Sequence, residues 1–169
     1  DLFQGEEFMN TRQCLSCGTQ EEMQHFEGRS LTVNYKDVSR WVHGIAGWEC
    51  KACGEIIFDN DTDSAERYSD AGDKLLEECF HVMGAEMKRI RRKLHLTQKE
   101  AVKLLSGGGH NAFSRYERGE LPPPQPLFNL MRLLDRHPHL LAEIHAINDG
   151  TDLRRLLAAH FPEQETAQV

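Results

Sequence analysis

Three observations on the 169-residue chain predict an α+β fold in two parts. Two Cys-x-x-Cys pairs bracket strand-like sequence, apolar residues beyond residue 84 recur at helical spacing between Gly and Pro breaks, and charge divides unevenly between the halves. The first half reads as a small metal-pinned antiparallel β domain with a helix, the second as an all-α domain built on a helix-turn-helix. The expected boundaries are 1–8 for a leading segment, 9–83 for the β domain, 84–148 for the helical domain and 149–169 for a C-terminal extension.

Asp1 to Phe8, ahead of Met9, resembles the remnant of a cleavable expression tag and is excluded from fold reasoning. No apolar run approaches the roughly 18 to 20 residues of a membrane span. The first residues also lack a basic start followed by an apolar core, so a cytoplasmic protein without a membrane partner is expected.

The formal net charge of -7 argues against nucleic acid only if it is evenly spread. Residues 1–85 carry 7 basic and 17 acidic side chains, whereas residues 86–169 carry 13 and 10. Within 86–119 there are 9 basic residues against 3 acidic ones, a local excess of the kind that binds phosphate.

Cys14-Leu15-Ser16-Cys17-Gly18 and Cys50-Lys51-Ala52-Cys53-Gly54 repeat one pattern. Two residues between cysteines let both thiolates reach one ion about 2.3 Å away, and four thiolates complete a tetrahedral shell. Cys14, Cys17, Cys50 and Cys53 are therefore expected to hold one structural Zn²⁺ per chain. The following glycines supply the positive φ of a turn around the metal. Such a shell leaves no open position for substrate, which argues against a catalytic metal. Two redox dithiols or unligated cysteines are the alternative. His25 and His43 lie between the pairs and are not counted as ligands.

Ser30 to Tyr35 alternates with period two and Arg40 to Ile45 is β-prone, so a small antiparallel sheet is expected between the pairs. So few residues bury little apolar surface, and the metal is expected to supply much of the folding free energy. Asp59 to Ser64 offers N-caps for a helix reaching Met83, with Leu76, Cys79, Phe80 and Met83 on one buried face.

In the second half, Met87, Ile90 and Leu94 mark the inner face of a first helix whose other faces carry Lys88, Arg89, Arg91, Arg92 and Lys93. Thr97 and Glu100 form a capping box for a second helix with an Ala101, Leu104, Leu105 stripe, which Ser106 to Gly109 ends. A third runs from His110 or Asn111 to Arg118 and stops at Gly119. Ala112, Phe113 and Tyr116 face inward, while Asn111, Ser114, Arg115 and Arg118 face outward. Asn pairs bidentately with adenine and Arg with guanine, so Asn111 and Arg115 are the expected base readers of a helix entering the major groove. Arg92, Gln98, Lys99, Ser114 and Arg118 are the expected backbone contacts on double-stranded DNA.

Leu127, Leu130, Met131 and Leu134, followed by Leu141, give more apolar surface than a short motif needs. They are expected to close the core and to form a twofold interface for reading palindromic half-sites. Leu153, Leu156 and Leu157 predict one more helix before a polar tail.

Leu96-Thr97-Gln98-Lys99-Glu100-Ala101, Gly107-Gly108-Gly109 and Asn111-Ala112-Phe113-Ser114-Arg115-Tyr116-Glu117 closely resemble the MqsA-type antitoxins, and the doubled Cys-x-x-Cys fits them too. The resemblance covers roughly Gln13 to His145 and implies an XRE/Cro-like helix-turn-helix. It further implies a type II antitoxin that dimerises through its C-terminal domain, represses its own operon at a palindromic promoter operator and binds a ribonuclease toxin through its zinc domain. The family's zinc ligands map onto Cys14, Cys17, Cys50 and Cys53, and its base readers onto Asn111 and Arg115. The segment 59–85 shares pattern rather than residues with the family, so the toxin surface is not assigned residue by residue. A stand-alone transcriptional regulator whose zinc domain senses metal or redox state, or recruits another protein, is the first alternative. A thiol oxidoreductase is the second, but no acid/base constellation accompanies the cysteines, and no enzyme is expected.

Overall fold

Two long strands, β1 (Met23–Tyr35) and β2 (Val38–Cys50), pair antiparallel across the turn at Lys36 and Asp37. The computed structural model describes residues 12–106, 108–109, 111–149 and 151–162. The expected tag remnant and the polar end of the tail lie outside these residues. The register shifts twice, between the Phe26–Gly47, Arg29–Ile45 and Leu31–Val42 pairs. Each shift moves one strand relative to the pleat. Phe26 and Val33 of β1, seven residues apart, are accordingly both buried, as are Val42, Ile45 and Ala46 of β2.

β3 (Ile56–Phe58) adds to the free edge of β2, giving the order β1-β2-β3. Gly47 permits this pairing: a Cβ there would lie 2.5 Å from the carbonyl oxygen of Ile57. A long helix, α1 (Ser64–Lys93), follows. Its first turns are bonded to the sheet. The buried Ser64 hydroxyl accepts the Ala46 N–H at 2.9 Å, and the Tyr68 hydroxyl donates to the Thr32 carbonyl at 2.9 Å. Arg67 donates to the carbonyls of His43 and Gly44.

The chain divides into two compact units, Asp1–Leu76 and Glu77–Val169, called here the N- and C-terminal units. The sequence suggests one helix ending at Met83 and another carrying Met87, Ile90 and Leu94. The structure corrects this, because α1 continues unbroken through Gly84 to Lys93. Gly84 is no breaker here. It is buried, and a Cβ there would lie 2.3 Å from the carbonyl oxygen of Tyr116, so the missing side chain makes room for a neighbouring backbone. The buried face is corrected as well: Leu76, Cys79, Phe80 and Met83 are half-buried, while Leu75, Met87 and Ile90 are fully enclosed.

α1 ends in paired carbonyl caps, His95 N–H to Arg92 and Leu96 N–H to Arg91, with His95 at φ +56°. The Thr97–Glu100 capping box forms as expected at the start of α2 (Gln98–Ala101). α2 then widens into a π-helical turn, Val102–Ser106. The widening shifts the inner face: Ala101 and Val102 are buried, and Leu104 and Leu105 only half so.

α3 (Ala112–Glu117) has Asn111 as its N-cap and closes with Gly119 at φ +72°. α4 (Gln125–Arg136), α5 (Leu140–Asn148) and α6 (Thr151–His160) complete the C-terminal unit. Its core joins Met87, Ile90, Leu94, Leu96, Ala101, Val102 and Phe113 to Leu127, Met131 and Leu134 of α4. Leu130 and Leu141 pack on the rim of this cluster, half-buried. Leu153 and Leu156 of α6 are 63% and 58% exposed. Among the described residues, no helix is long and apolar enough to cross a membrane.

Candidate metal centre and nucleic-acid interface

Each cysteine pair opens a tight turn that returns on itself. Gly18 N–H donates to the Cys14 carbonyl at 2.9 Å and Gly54 N–H to the Cys50 carbonyl at 2.8 Å, with φ at +74° and +78°. A side chain at either glycine would be strained. The turns are tied together by the Lys51 N–H, which donates to the Glu22 carbonyl at 2.8 Å. The four sulfurs all lie within 4.8 Å of one another. Cys14 and Cys53 approach to 3.7 Å and Cys17 and Cys50 to 3.8 Å. Four sulfurs about 2.3 Å from one tetrahedral ion stand about 3.8 Å apart, which the two closest pairs match and the cluster as a whole approaches.

The two exposed thiols differ. A hydrogen bond with the Thr19 hydroxyl, helped by the Thr19 backbone, lowers the Cys17 thiol to about 6. A backbone hydrogen bond at Glu55 lowers the Cys53 thiol, but burial and the three neighbouring sulfurs outweigh it and push that thiol up to about 12. Four thiolates gathered this closely need a cation to be ionised together.

Cys14 and Cys50 are buried, and with Met23 they form a small cluster flanked by Trp48 and Ile57. The histidines between the pairs are engaged elsewhere. His25 bonds Asp59 at 2.7 Å and His43 bonds Ser30 at 2.7 Å. Among the described residues, neither joins the sulfur cluster.

In the C-terminal unit, Asn111, Arg115 and Arg118 are exposed around α3, and Ser114 is half-buried. Arg115 and Arg118 both pair with Glu120, at 3.3 and 2.6 Å, and Arg118 also donates to the Ser114 hydroxyl. Such exposed pairs are weak enough to be exchanged for phosphate or base edges. Asn111 makes no side-chain cap bond to the helix it begins, which leaves its amide free of that task. Arg92 and Lys99 are exposed near the start of α2.

Gln98 is placed differently from a free phosphate contact. Its amide donates to Glu117 at 2.7 Å, and Glu117 also receives Arg91 through Nε and, at 3.1 Å, through Nη2. The sequence reading missed Glu117 and Arg91 as functional residues. Their signal was periodicity: Glu117 lies four residues after Phe113, on the inward face of α3. Leu127, Met131 and Leu134, expected to serve core or interface, are enclosed within one chain, which leaves Leu130 and Leu141 nearer the surface.

With this geometry in place, the chain matches a family described as the antitoxin component of a bacterial toxin-antitoxin system, MqsA, over residues 12–145. It is also 40% identical, over 116 residues, to a protein of Escherichia coli strain K12 named Antitoxin MqsA. That similarity spans 69% of this chain and 88% of the relative.

Proposed function

The chain belongs to the MqsA antitoxin family, a family of regulators rather than enzymes, and from that premise we propose that it neutralises an mRNA-cleaving ribonuclease toxin by binding it and represses its own operon. In this reading the C-terminal unit forms a homodimer on palindromic promoter DNA. The N-terminal unit, held by one structural Zn²⁺ on Cys14, Cys17, Cys50 and Cys53, captures the toxin in the cytoplasm.

The observation that carries the DNA half is the amino-terminal side of α3, where Asn111 and Arg115 are exposed together beside a locally basic surface. These are the side chains that read adenine and guanine bidentately, and recognition helices read with their first turns. Arg92, Lys99, Ser114 and Arg118 surround them as phosphate contacts. Gln98 is occupied by its bond to Glu117 and is set apart from these contacts. The acidic excess of residues 1–85 favours a basic partner for the other half.

Co-expression with a small toxin gene from the same operon tests the proposal. Relief of growth arrest, together with protection of the promoter fragment, is the expected result. Protection without relief would contradict the antitoxin half and leave a stand-alone regulator.

A further inference from the structure

α3 is six residues long, too short to fix its own orientation, and the proposed base readers are its N-cap, Asn111, and Arg115 in its last turn. Its apolar anchors are Phe113, which is fully buried, and the half-buried Tyr116 beside it. Such contacts are non-directional: they set how deeply a short helix sits but leave rotation about its axis weakly constrained. Base reading tolerates little rotation, since functional side chains must be held within about 0.5 Å and 10 to 20°.

A directional anchor lies one turn beyond Phe113. The side chains of Glu117 and Arg91 are 4% and 12% exposed, and Arg91 meets Glu117 with two nitrogens in the planar, directional manner of a guanidinium on a carboxylate. The remaining Arg91 nitrogen, Nη1, donates to the Leu96 carbonyl at 2.7 Å, in the turn between α1 and α2. Gln98, the first residue of α2, donates to the same carboxylate. The carboxylate therefore joins α3 to α1 and α2, and Arg91 carries the link on to the turn. Close approach of the backbones supports the same arrangement independently, because Gly84 of α1 leaves no room for a Cβ against the carbonyls of Tyr116 and Glu117.

We infer that Glu117, clamped by Arg91 and Gln98, is a positioning residue that sets the rotation of α3 and hence where Asn111 and Arg115 meet the bases. The inference rests on the proposed DNA reading. A buried ion pair contributes little net stability compared with apolar side chains of similar size, but its geometry is directional. Stability and selectivity should therefore separate.

The test uses the full chain with its metal, on a duplex selected by the unaltered protein from a randomised pool and on a random-sequence duplex. Glu117→Gln replaces an acceptor with a donor facing Arg91 and Gln98. The ratio of selected to random affinity should fall about tenfold while the salt slope on random duplex stays unchanged. The double variant Arg91→Met with Glu117→Leu removes the unpaired charge. It should melt no lower than Glu117→Gln, yet its selectivity should stay low.

An unchanged ratio in both variants overturns the inference. So does selectivity that returns with stability in the double variant, since that is the behaviour of a purely structural pair. If Glu117→Gln fails to fold, the double variant alone decides between these results. Absence of any selective binding by the unaltered chain overturns the DNA reading itself, and the inference with it.

Discussion

The N-terminal unit gathers four sulfurs at one end of a three-stranded sheet, whereas the C-terminal unit gathers Met87, Ile90, Phe113, Met131 and Leu134 into a continuous apolar core. Both bury side chains completely, but by different means. A thin sheet with the first turns of one helix against it has little apolar area to remove from water, so directional bonds at the sulfurs must make up the difference. The helical unit has area enough and uses its polar groups for orientation: the capping box at Thr97, the glycine stop at Gly119 and the Arg91–Glu117–Gln98 bonds. The contrast teaches that stability and function are coupled differently in the two units. Loss of the metal should erase the surface of the first, while the face of the second should persist without it.

The largest expected effect follows from the sulfurs. Structural Zn²⁺ binding by such sites is worth on the order of 10 kcal/mol. Chelation, or Cys50→Ser, should therefore abolish the strand signal in circular dichroism and take the metal content from one zinc per chain to none. Retained strands in the metal-free chain would remove the basis of the comparison.

Next is the apolar core. Phe113→Ala should cost about 3 to 5 kcal/mol and Met131→Ala about 2 to 5 kcal/mol of C-terminal stability in denaturant melts, because each leaves a cavity where the side chain is fully enclosed. The metal content of these variants should not change. Smaller again is the reading face. Asn111→Ala or Arg115→Ala should cost about 1 to 3 kcal/mol at its own base pair in duplex binding, and Arg92→Ala should weaken all sequences alike. An equal loss on selected and random duplex for Arg115→Ala would contradict its assignment.

The smallest effect is electrostatic. Arg89, then Lys93, holds the Asp135 carboxyl well below its ordinary value of 3.8. A carboxyl depressed in the folded state adds stability above its unfolded value and loses it as pH falls toward the folded one. Melting of the C-terminal unit should therefore be flat above about pH 5 and decline below about pH 4, and Asp135→Asn should flatten that decline.

Much of this was legible in the chain itself. Cysteine spacing located the four sulfurs that cluster, because a tetrahedral ion would impose that local pattern, and the Thr97–Glu100 box marked a helix start because its bonds join residues three apart. What escaped was long-range. Gly84 lies inside α1 with the Tyr116 carbonyl packed against it, a contact remote in sequence. The π-helical turn at Val102–Ser106 altered which side chains face inward, a shift that no period of 3.6 announces. The spacing of Glu117 from Phe113 marks an inward position, but its partners Arg91 and Gln98 are distant in sequence. The two register shifts in the hairpin were equally hidden, since bulges depend on the partner strand.

The central claim is that one unit is held by metal and the other reads DNA without it. Hydrogen exchange on the full chain, followed before and after the metal is stripped and paired with binding to the selected duplex, tests it most directly. The account predicts that β1 and β2 lose protection while α1 beyond Glu77, α3 and α4 keep theirs, with duplex selectivity retained. Simultaneous loss of protection in both units, or loss of selectivity with the metal, would contradict it.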